Sequence, residues 1–309
     1  MAITFSSNYV GDVEETVFSL TVVGNQAVEK GSVHVEAGVQ DTLFLPRFNA
    51  AADQLQARVA DPDTAQASDS FTWDERSIEP LDTMFYDEFN PRTFESAWKP
   101  FQPNGPLVDR VMNPLIQSAI MAEAVQSVGT QLGKIIWQGD TLGATAISFF
   151  DGYIKIATND GAIAVTPAGA ITAANVIQIL EDSIAAIPDG VYEDPNMIIH
   201  MSTADIRLYK EAARALDFKG ANITEAGEDR FGGFEIRAYS GMAKDTILIA
   251  KATAGKDSNL WAAVDVSGDE ENPKIARTRA ASELFFIKII LKYAVNIPNP
   301  TETVLYLSA

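Results

Sequence analysis

Residues Ala281–Ile297 read ASELFFIKIILKYAVNI. The odd positions Phe285, Ile287, Ile289, Leu291, Tyr293, Val295 and Ile297 are all apolar. The even positions mix Leu284, Phe286, Ile290 and Ala294 with Lys288, Lys292 and Asn296. Successive side chains of a strand point to opposite faces, so the stretch predicts a long strand with one fully apolar face. At ~3.3 Å per residue, the run from Phe285 would span roughly 43 Å. Common strands are about 17–20 Å long. An apolar face of that length needs an equally long element to cover it.

One other segment is long enough. Asn113-Pro114 is a helix-start signal, with Asn as cap and Pro in the first turn. No further proline occurs up to Gln138, and Met121, Val125, Val128, Leu132 and Ile135 recur at helical spacing. Gly139 is a stop signal. A helix from Pro114 to Gln138 would be roughly 37 Å long at ~1.5 Å per residue. Gly129 and Gly133 weaken it slightly. The odd face of the strand is expected to pack beneath this helix, leaving Lys288 and Lys292 on the other side.

The remaining segments are shorter. Residues 1–35 read as an extended arm. In 36–105, Thr42–Leu45 is a short apolar strand stopped by Pro46. The acid-rich run 60–70 has the composition of a loop tip. Its flanks, 53–60 and 70–79, suggest a long hairpin projecting from the body. Phe85, Tyr86, Phe89, Phe94, Trp98 and Phe101 follow, punctuated by Pro91, Pro100, Pro103 and Pro106. Aromatics in such irregular chain are expected to pack on a neighbouring surface, of the same body or of another copy. Residues 140–275 read as an α/β unit. It has a strand–turn–strand at 147–156, a helix after Thr172 and a buried strand at Met197–Met201. A Ser202/Asp205 helix cap follows, with strands at 234–238, 246–250 and 259–266. Val304–Leu307 adds a terminal strand.

Composition narrows the function. The chain has 309 residues, 47% hydrophobic and 21% charged, enough for a large core. It has no Cys, which excludes disulfides, thiolate metal sites and a cysteine nucleophile. No apolar run approaches a membrane span, and no basic residue precedes Lys30 to mark a secretory signal. The net charge of −19 argues against tight reading of nucleic acid. Residues 1–105 carry 17 acids against 6 bases, whereas 274–299 hold Lys274, Arg277, Arg279, Lys288 and Lys292 against Glu283 alone. That asymmetry fits solvated surface, or contact between the acidic third of one copy and basic parts of another.

No catalytic constellation emerges. His34 and His200 are the only histidines, and His200 reads as a satisfied strand-end residue. Ala254–Ser258 lacks the first Gly and the Ser/Thr of a phosphate loop. Asp265, Asp269, Glu270 and Glu271 lack calcium-loop spacing. No cofactor is expected.

The order of parts is arm, acidic hairpin, long helix, α/β unit and basic return strand. It resembles the major capsid protein of tailed bacteriophages, the Hong Kong 97-type fold, over nearly the whole chain. The runs Ile198–Gly220, Phe231–Met242 and Ala276–Ile297 carry the local likeness. The resemblance implies an α+β fold with an N-terminal arm (1–35) and an E-loop hairpin with linker (36–105). A P-domain spine helix (106–139), an A-domain (140–275) and P-domain return strands (276–309) complete it. It implies no enzyme activity and self-assembly into hexamers and pentamers of an icosahedral head enclosing double-stranded DNA. The protein would be made in the bacterial host cytoplasm and located in the virion capsid, with no membrane. Implied partners are other copies, a portal, a separate scaffolding protein, a decoration protein, and packaged DNA through weak non-specific contact. The candidate intersubunit residues are Asp61, Asp63, Asp69, Asp74, Glu75, Glu79, Arg277, Arg279, Lys288 and Lys292. Some members of the family crosslink an E-loop lysine, but no lysine lies between Lys30 and Lys99 here, so no crosslink is expected. An encapsulin-type nanocompartment shell and a soluble α/β enzyme are the alternative readings.

Overall fold

The computed structural model describes residues 26–50, 55, 57–61, 71–90, 114–143, 147–215, 229–265, 274–279 and 282–308. A helical turn, Gln26–Glu29 (α1), precedes strands His34–Ala37 (β1), Leu43–Ala50 (β2), Phe71–Ile78 (β3) and Leu81–Phe89 (β4). The helices Pro114–Gln138 (α2) and Tyr153–Asn159 (α3) follow, then Ile163–Ala164 (β5) and the helices Val176–Ala185 (α4) and Asp189–Tyr192 (α5). Next come Met197–Ser202 (β6), helix Thr203–Ala215 (α6), Arg230–Phe231 (β7), Phe234–Tyr239 (β8) and Thr246–Lys251 (β9). Trp261–Val264 (β10), Lys274–Arg277 (β11), Phe285–Asn296 (β12), a 3-10 turn at Pro300–Glu302 and Val304–Leu307 (β13) complete the described elements.

The long strand and the long helix form as their periodicities predict, and they pack together. Ile287 and Ile289 are buried in one cluster with Ala124 and Val125 of α2. Phe285, Leu291, Met121 and Val128 close around it. The same contact continues toward the helix C-terminus, where Tyr293, Val295 and Ile297 join Leu132, Ile135 and Trp137. The helix ends because Gly139 must pass close to other backbone. A Cβ there would lie 2.1 Å from the Phe150 carbonyl oxygen and 2.7 Å from that of Ile135.

β12 organises a five-stranded sheet. One edge is occupied along nine residues by antiparallel β4, from Phe285↔Phe89 to Tyr293↔Leu81. β11 and β10 share the other edge, at Phe285–Lys288 and at Tyr293–Asn296, and β1 adds parallel to β10. A second, six-stranded sheet runs in the order β5-β13-β9-β6-β8-β7. Its central strand β6 is buried at every position, as a strand covered on both faces must be. α4 and α6 cover one face through Leu180, Tyr209 and Ala212. Trp137 of α2 and Tyr153 and Ala157 of α3 cover the other. α6 starts on the expected cap: the Asp205 amide donates to Ser202 Oγ (3.1 Å), which donates to the Asp205 carboxylate (2.7 Å).

Several local expectations are corrected. The hairpin arm expected at 70–79 forms as Phe71–Ile78, but its partner is Leu43–Ala50 and not 53–60. Pro46 does not stop its strand, because β2 and β3 form a two-stranded sheet in which β2 is an edge, where a missing N–H is tolerated. Leu81–Phe89 is regular strand rather than irregular aromatic chain, since β12 supplies a partner along its whole length. Residues 153–156, expected as the second strand of 147–156, lie instead in the helix Tyr153–Asn159, which buries Tyr153, Ile156 and Ala157 at helical spacing. Strand β10 pairs with β12 rather than with the α/β sheet, and β13 joins that sheet instead of the long one. The remaining expectations for 1–25, for the hairpin tip at 62–70, for Phe94, Trp98 and Phe101 and for the acidic turn 266–273 lie outside the described residues.

Candidate functional site

Among the described residues, nothing covers one face of the hairpin β2–β3. Alternation puts Phe44, Pro46 and Phe48 on the same side as their cross-strand partners Ser77, Glu75 and Trp73, and Phe71 continues that side beyond them. Phe44, Phe48, Phe71 and Trp73 are 56%, 61%, 60% and 70% exposed. Phe48 stacks on Phe71 at 5.3 Å and meets Trp73 edge-on at 6.3 Å. Four large rings on one face of an isolated ribbon are an interaction patch rather than scattered surface apolar residues. Among the described residues, the opposite face is anchored at the root. Leu45 and Ile78 are buried with Ala263 and Ala294, Arg47 donates to the Pro298 carbonyl (3.0 Å), and Arg76 pairs with Asp160. A two-stranded ribbon is marginal in water alone, so the aromatic half of this one gains burial only against another surface.

A second patch lies on the even face of the long sheet, opposite α2. Phe286, Lys288 and Ile290 of β12 stand beside Glu88, Tyr86 and Met84 of β4 and beside Ala276 and Lys274 of β11. Met84 is 58% and Tyr86 46% exposed. Tyr86 stacks on Phe286 at 5.9 Å, and its hydroxyl donates to Glu88. Lys274 and Lys288 sit directly opposite one another, an arrangement that repels.

The residues expected to meet other subunits divide unevenly. Asp61 is exposed, whereas Asp63 and Asp69 lie outside the described residues. Asp74 is ion-paired with Arg47 across the hairpin. Glu75 stands within the aromatic face, and Glu79 is exposed at the turn into β4. Arg277 lies over the Phe285 ring at 5.6 Å, and Arg279 is exposed. Lys288 is on the open face as expected. Lys292 is not available: its ammonium donates to the Gln40 carbonyl (3.2 Å) and lies 3.9 Å from both Asp82 and Asp265. The expected residues are all charged, whereas the rings of the hairpin face form the larger exposed patch. The signal was present in the alternation Phe44-x-Pro46-x-Phe48 and Phe71-x-Trp73.

A buried polar cluster joins the other parts. Tyr239 bonds Ser32 Oγ (2.6 Å) and His200 Nδ1 (3.2 Å), and Arg237 donates to the Lys30 carbonyl and to Ser32 Oγ, both at 2.7 Å. Burial first, then the charges of Arg237 and Lys30, push the His200 pKa down to about 3. Burial pushes the Tyr239 hydroxyl up to about 12. Both are neutral packing groups. His200 lies within β6 rather than at its end, and it is only half satisfied: Nδ1 bonds Tyr239, while Nε2 has no partner among the described residues. Those residues include no group of three or more His, Cys, Asp or Glu able to hold a metal ion, and no helix among them is long and apolar enough to cross a membrane.

No protein-family model and no curated protein matches the chain. Solved structures do. The capsid of the native GTA particle is 13% identical with a TM-score of 0.59, over 93% of this chain and 91% of that one. The capsid of Myoviridae phage XM1 is 9% identical with a TM-score of 0.59, over 92% of each chain. A chain of Mycobacterium phage Bobi is 12% identical with a TM-score of 0.54, over 99% of this chain and 95% of that one. The likeness spans the whole architecture, and this chain has the mixed helix-and-sheet fold of those proteins.

Proposed function

We propose that this chain is the major shell protein of a tailed-phage head with the Hong Kong 97-type architecture. In this reading β2–β3 is the E-loop. The sheet around β12 with helix α2 is the P-domain, and the six-stranded sheet with α4 and α6 is the A-domain. Copies associate into hexamers and pentamers of an icosahedral shell around double-stranded DNA. The role is structural and assigns no catalytic residue. A portal and a scaffolding protein accompany assembly, and a decoration protein docks outside. Synthesis occurs in the host cytoplasm and the finished protein resides in the virion capsid.

The observation that carries the reading is the aromatic face of the hairpin. A chain that lives alone has no use for four exposed rings on a ribbon held only at its root. A chain that repeats head to tail buries them at every contact, and heterologous contacts that close by rotation generate rings. Negative-stain microscopy of the purified protein tests this. Shells, rings or tubes are expected, and a compact monomer persisting at every concentration would overturn it.

A further inference from the structure

The connections from β9 to β10 and from β12 to β13 carry the chain between the two sheets, and they are tied side by side. Asn259 Nδ2 donates to the Asn299 carbonyl (2.7 Å), and the Asn299 amide donates to Asn259 Oδ1 (2.8 Å). The segment 26–37 bridges the same two sheets differently. Its C-terminal end is β1, laddered to β10 of the long sheet from His34↔Trp261 to Ala37↔Val264. Its N-terminal end lies against β8 of the six-stranded sheet, but no ladder holds it there, since the strand neighbours of β8 are β6 and β7. Side chains do the holding. Gln26 Oε1 accepts from the Ser240 amide (2.9 Å) and Oγ (3.1 Å). Lys30 donates to the Ala238 carbonyl and lies over the Tyr239 ring at 5.0 Å. Arg237 donates to the Lys30 carbonyl and to Ser32 Oγ. This grip brings two cations together. Partial burial first, then the charge of Arg237, push the Lys30 pKa below its ordinary value, against the opposite effects of Asp229 and Glu29.

The two ends therefore differ in how they let go. Gln26, Lys30 and Ser32 grip β8 in chain order, starting where the preceding chain enters. Load arriving from that side meets one contact at a time, whereas the β1 ladder beyond resists as a unit. Little apolar surface opposes the opening, because Ala27 is the one fully buried apolar side chain between Gln26 and Ser32, and regions with few buried apolar contacts open first. We propose that residues 26–32 form a latch between the two sheets, which peels from β8 when a second copy draws the preceding residues away, while β1 stays paired. Closed, the latch fixes the six-stranded sheet to the long one at a point other than the Asn259–Asn299 tie. Open, the six-stranded sheet keeps that tie and its packing on α2 and α3, and gains freedom to turn about them. The latch rests on the fold alone, and the second copy that opens it rests on the shell reading.

Amide hydrogen exchange on the dilute full chain tests the latch. The amides of Lys30, Gly31 and Ser32 bond within the turn, and those of His34 and Val39 bond to the Leu260 and Val264 carbonyls. The first group is expected to exchange faster than the second by about tenfold or more. Arg237→Gln, which unhooks Lys30 and Ser32, should widen that gap by speeding the first group alone. Exchange of both groups in one cooperative step would overturn the latch. Its opening is tested by bridging. The chain has no cysteine, so Gln26→Cys/Ser240→Cys places a lone pair of thiols across the latch for dibromobimane to join. Bridged chains are expected to assemble about tenfold less than the same variant with each thiol capped singly, because the open state has been removed from the equilibrium. Equal assembly of bridged and capped chains would overturn the opening while leaving the shell reading intact. A wild-type chain that never assembles would overturn the shell reading and the second copy with it, and the exchange measurement decides the latch in either case.

Discussion

At the scale of single residues, burial decides what titrates. His200 is enclosed by Trp137 and Tyr239, with ring centroids 5.4 and 5.5 Å away, and its pKa of about 3 lies far below the ordinary value of about 6.5. The unfolded chain therefore binds a proton that the folded chain refuses. Stability from this group is complete above about pH 6.5 and declines as pH falls toward 3. Replacing His200 with Gln should lower stability at neutral pH by about 1–2 kcal/mol through lost packing and the lost Tyr239 contact. It should also flatten the decline between pH 7 and pH 4 in urea titrations, and an equally steep decline would contradict the assignment. Two glycines make a second, opposed pair. A Cβ on Gly241 would lie 2.1 Å from the Gly133 carbonyl oxygen, whereas a Cβ on Gly133 meets nothing within 4 Å. Gly241→Ala should cost about 2 kcal/mol or more. Gly133→Ala should be neutral or stabilising by up to about 1 kcal/mol through helix propensity. Thermal melts of the two variants shifting in the same direction would count against this geometry.

At the scale of elements, the parts legible in the sequence are those whose burial follows one strict period. The helix Pro114–Gln138 and the strand from Phe285 are bounded as read, because each presents one continuous apolar face to the other. β4 was hidden. Asp82, Asp87 and Glu88 interrupt its pattern, and only β12, some two hundred residues later, supplies the ladder that makes it a strand. The helix at 153–159 was misread because Tyr153, Ile154 and Ile156 are also good strand residues, and local sequence does not reveal which face will be buried. Pro46 misled because proline excludes central strands, while the edge position of β2 is a tertiary fact. The aromatic face went unread as a candidate site because rings in a strand are normally core. Phe48→Ser with Trp73→Ser should abolish assembly while moving subunit stability by no more than about 0.5 kcal/mol. Particle counts and melts on the same preparation check this, and a parallel loss of fold would argue that the rings are internal packing. Lys292→Glu should act on the subunit itself. It places a third carboxylate beside Asp82 and Asp265 and should destabilise the subunit by about 1 kcal/mol or more.

At the scale of the whole molecule, the sequence conveyed the order of parts more faithfully than their partnerships. Strands β10 and β13 sit in sheets that periodicity cannot assign, because pairing between distant segments leaves no local trace. The proposed shell should be held without covalent links through the hairpin, since no lysine occurs between Lys30 and Lys99. Particles boiled in detergent should run as a single monomer band, and a ladder of multiples would contradict this. The same long-range pairing sets a schedule during synthesis. The hairpin is complete once residue 78 has been made, but the face built on β4, β11 and β12 exists only after residue 296. Contacts this distant in sequence form late and slowly. A chain still on the ribosome therefore carries the finished hairpin before the long sheet exists. Until then Asp74, Glu75 and Arg76 keep the waiting ribbon charged, and Pro46 denies its edge a regular ladder to a stray strand.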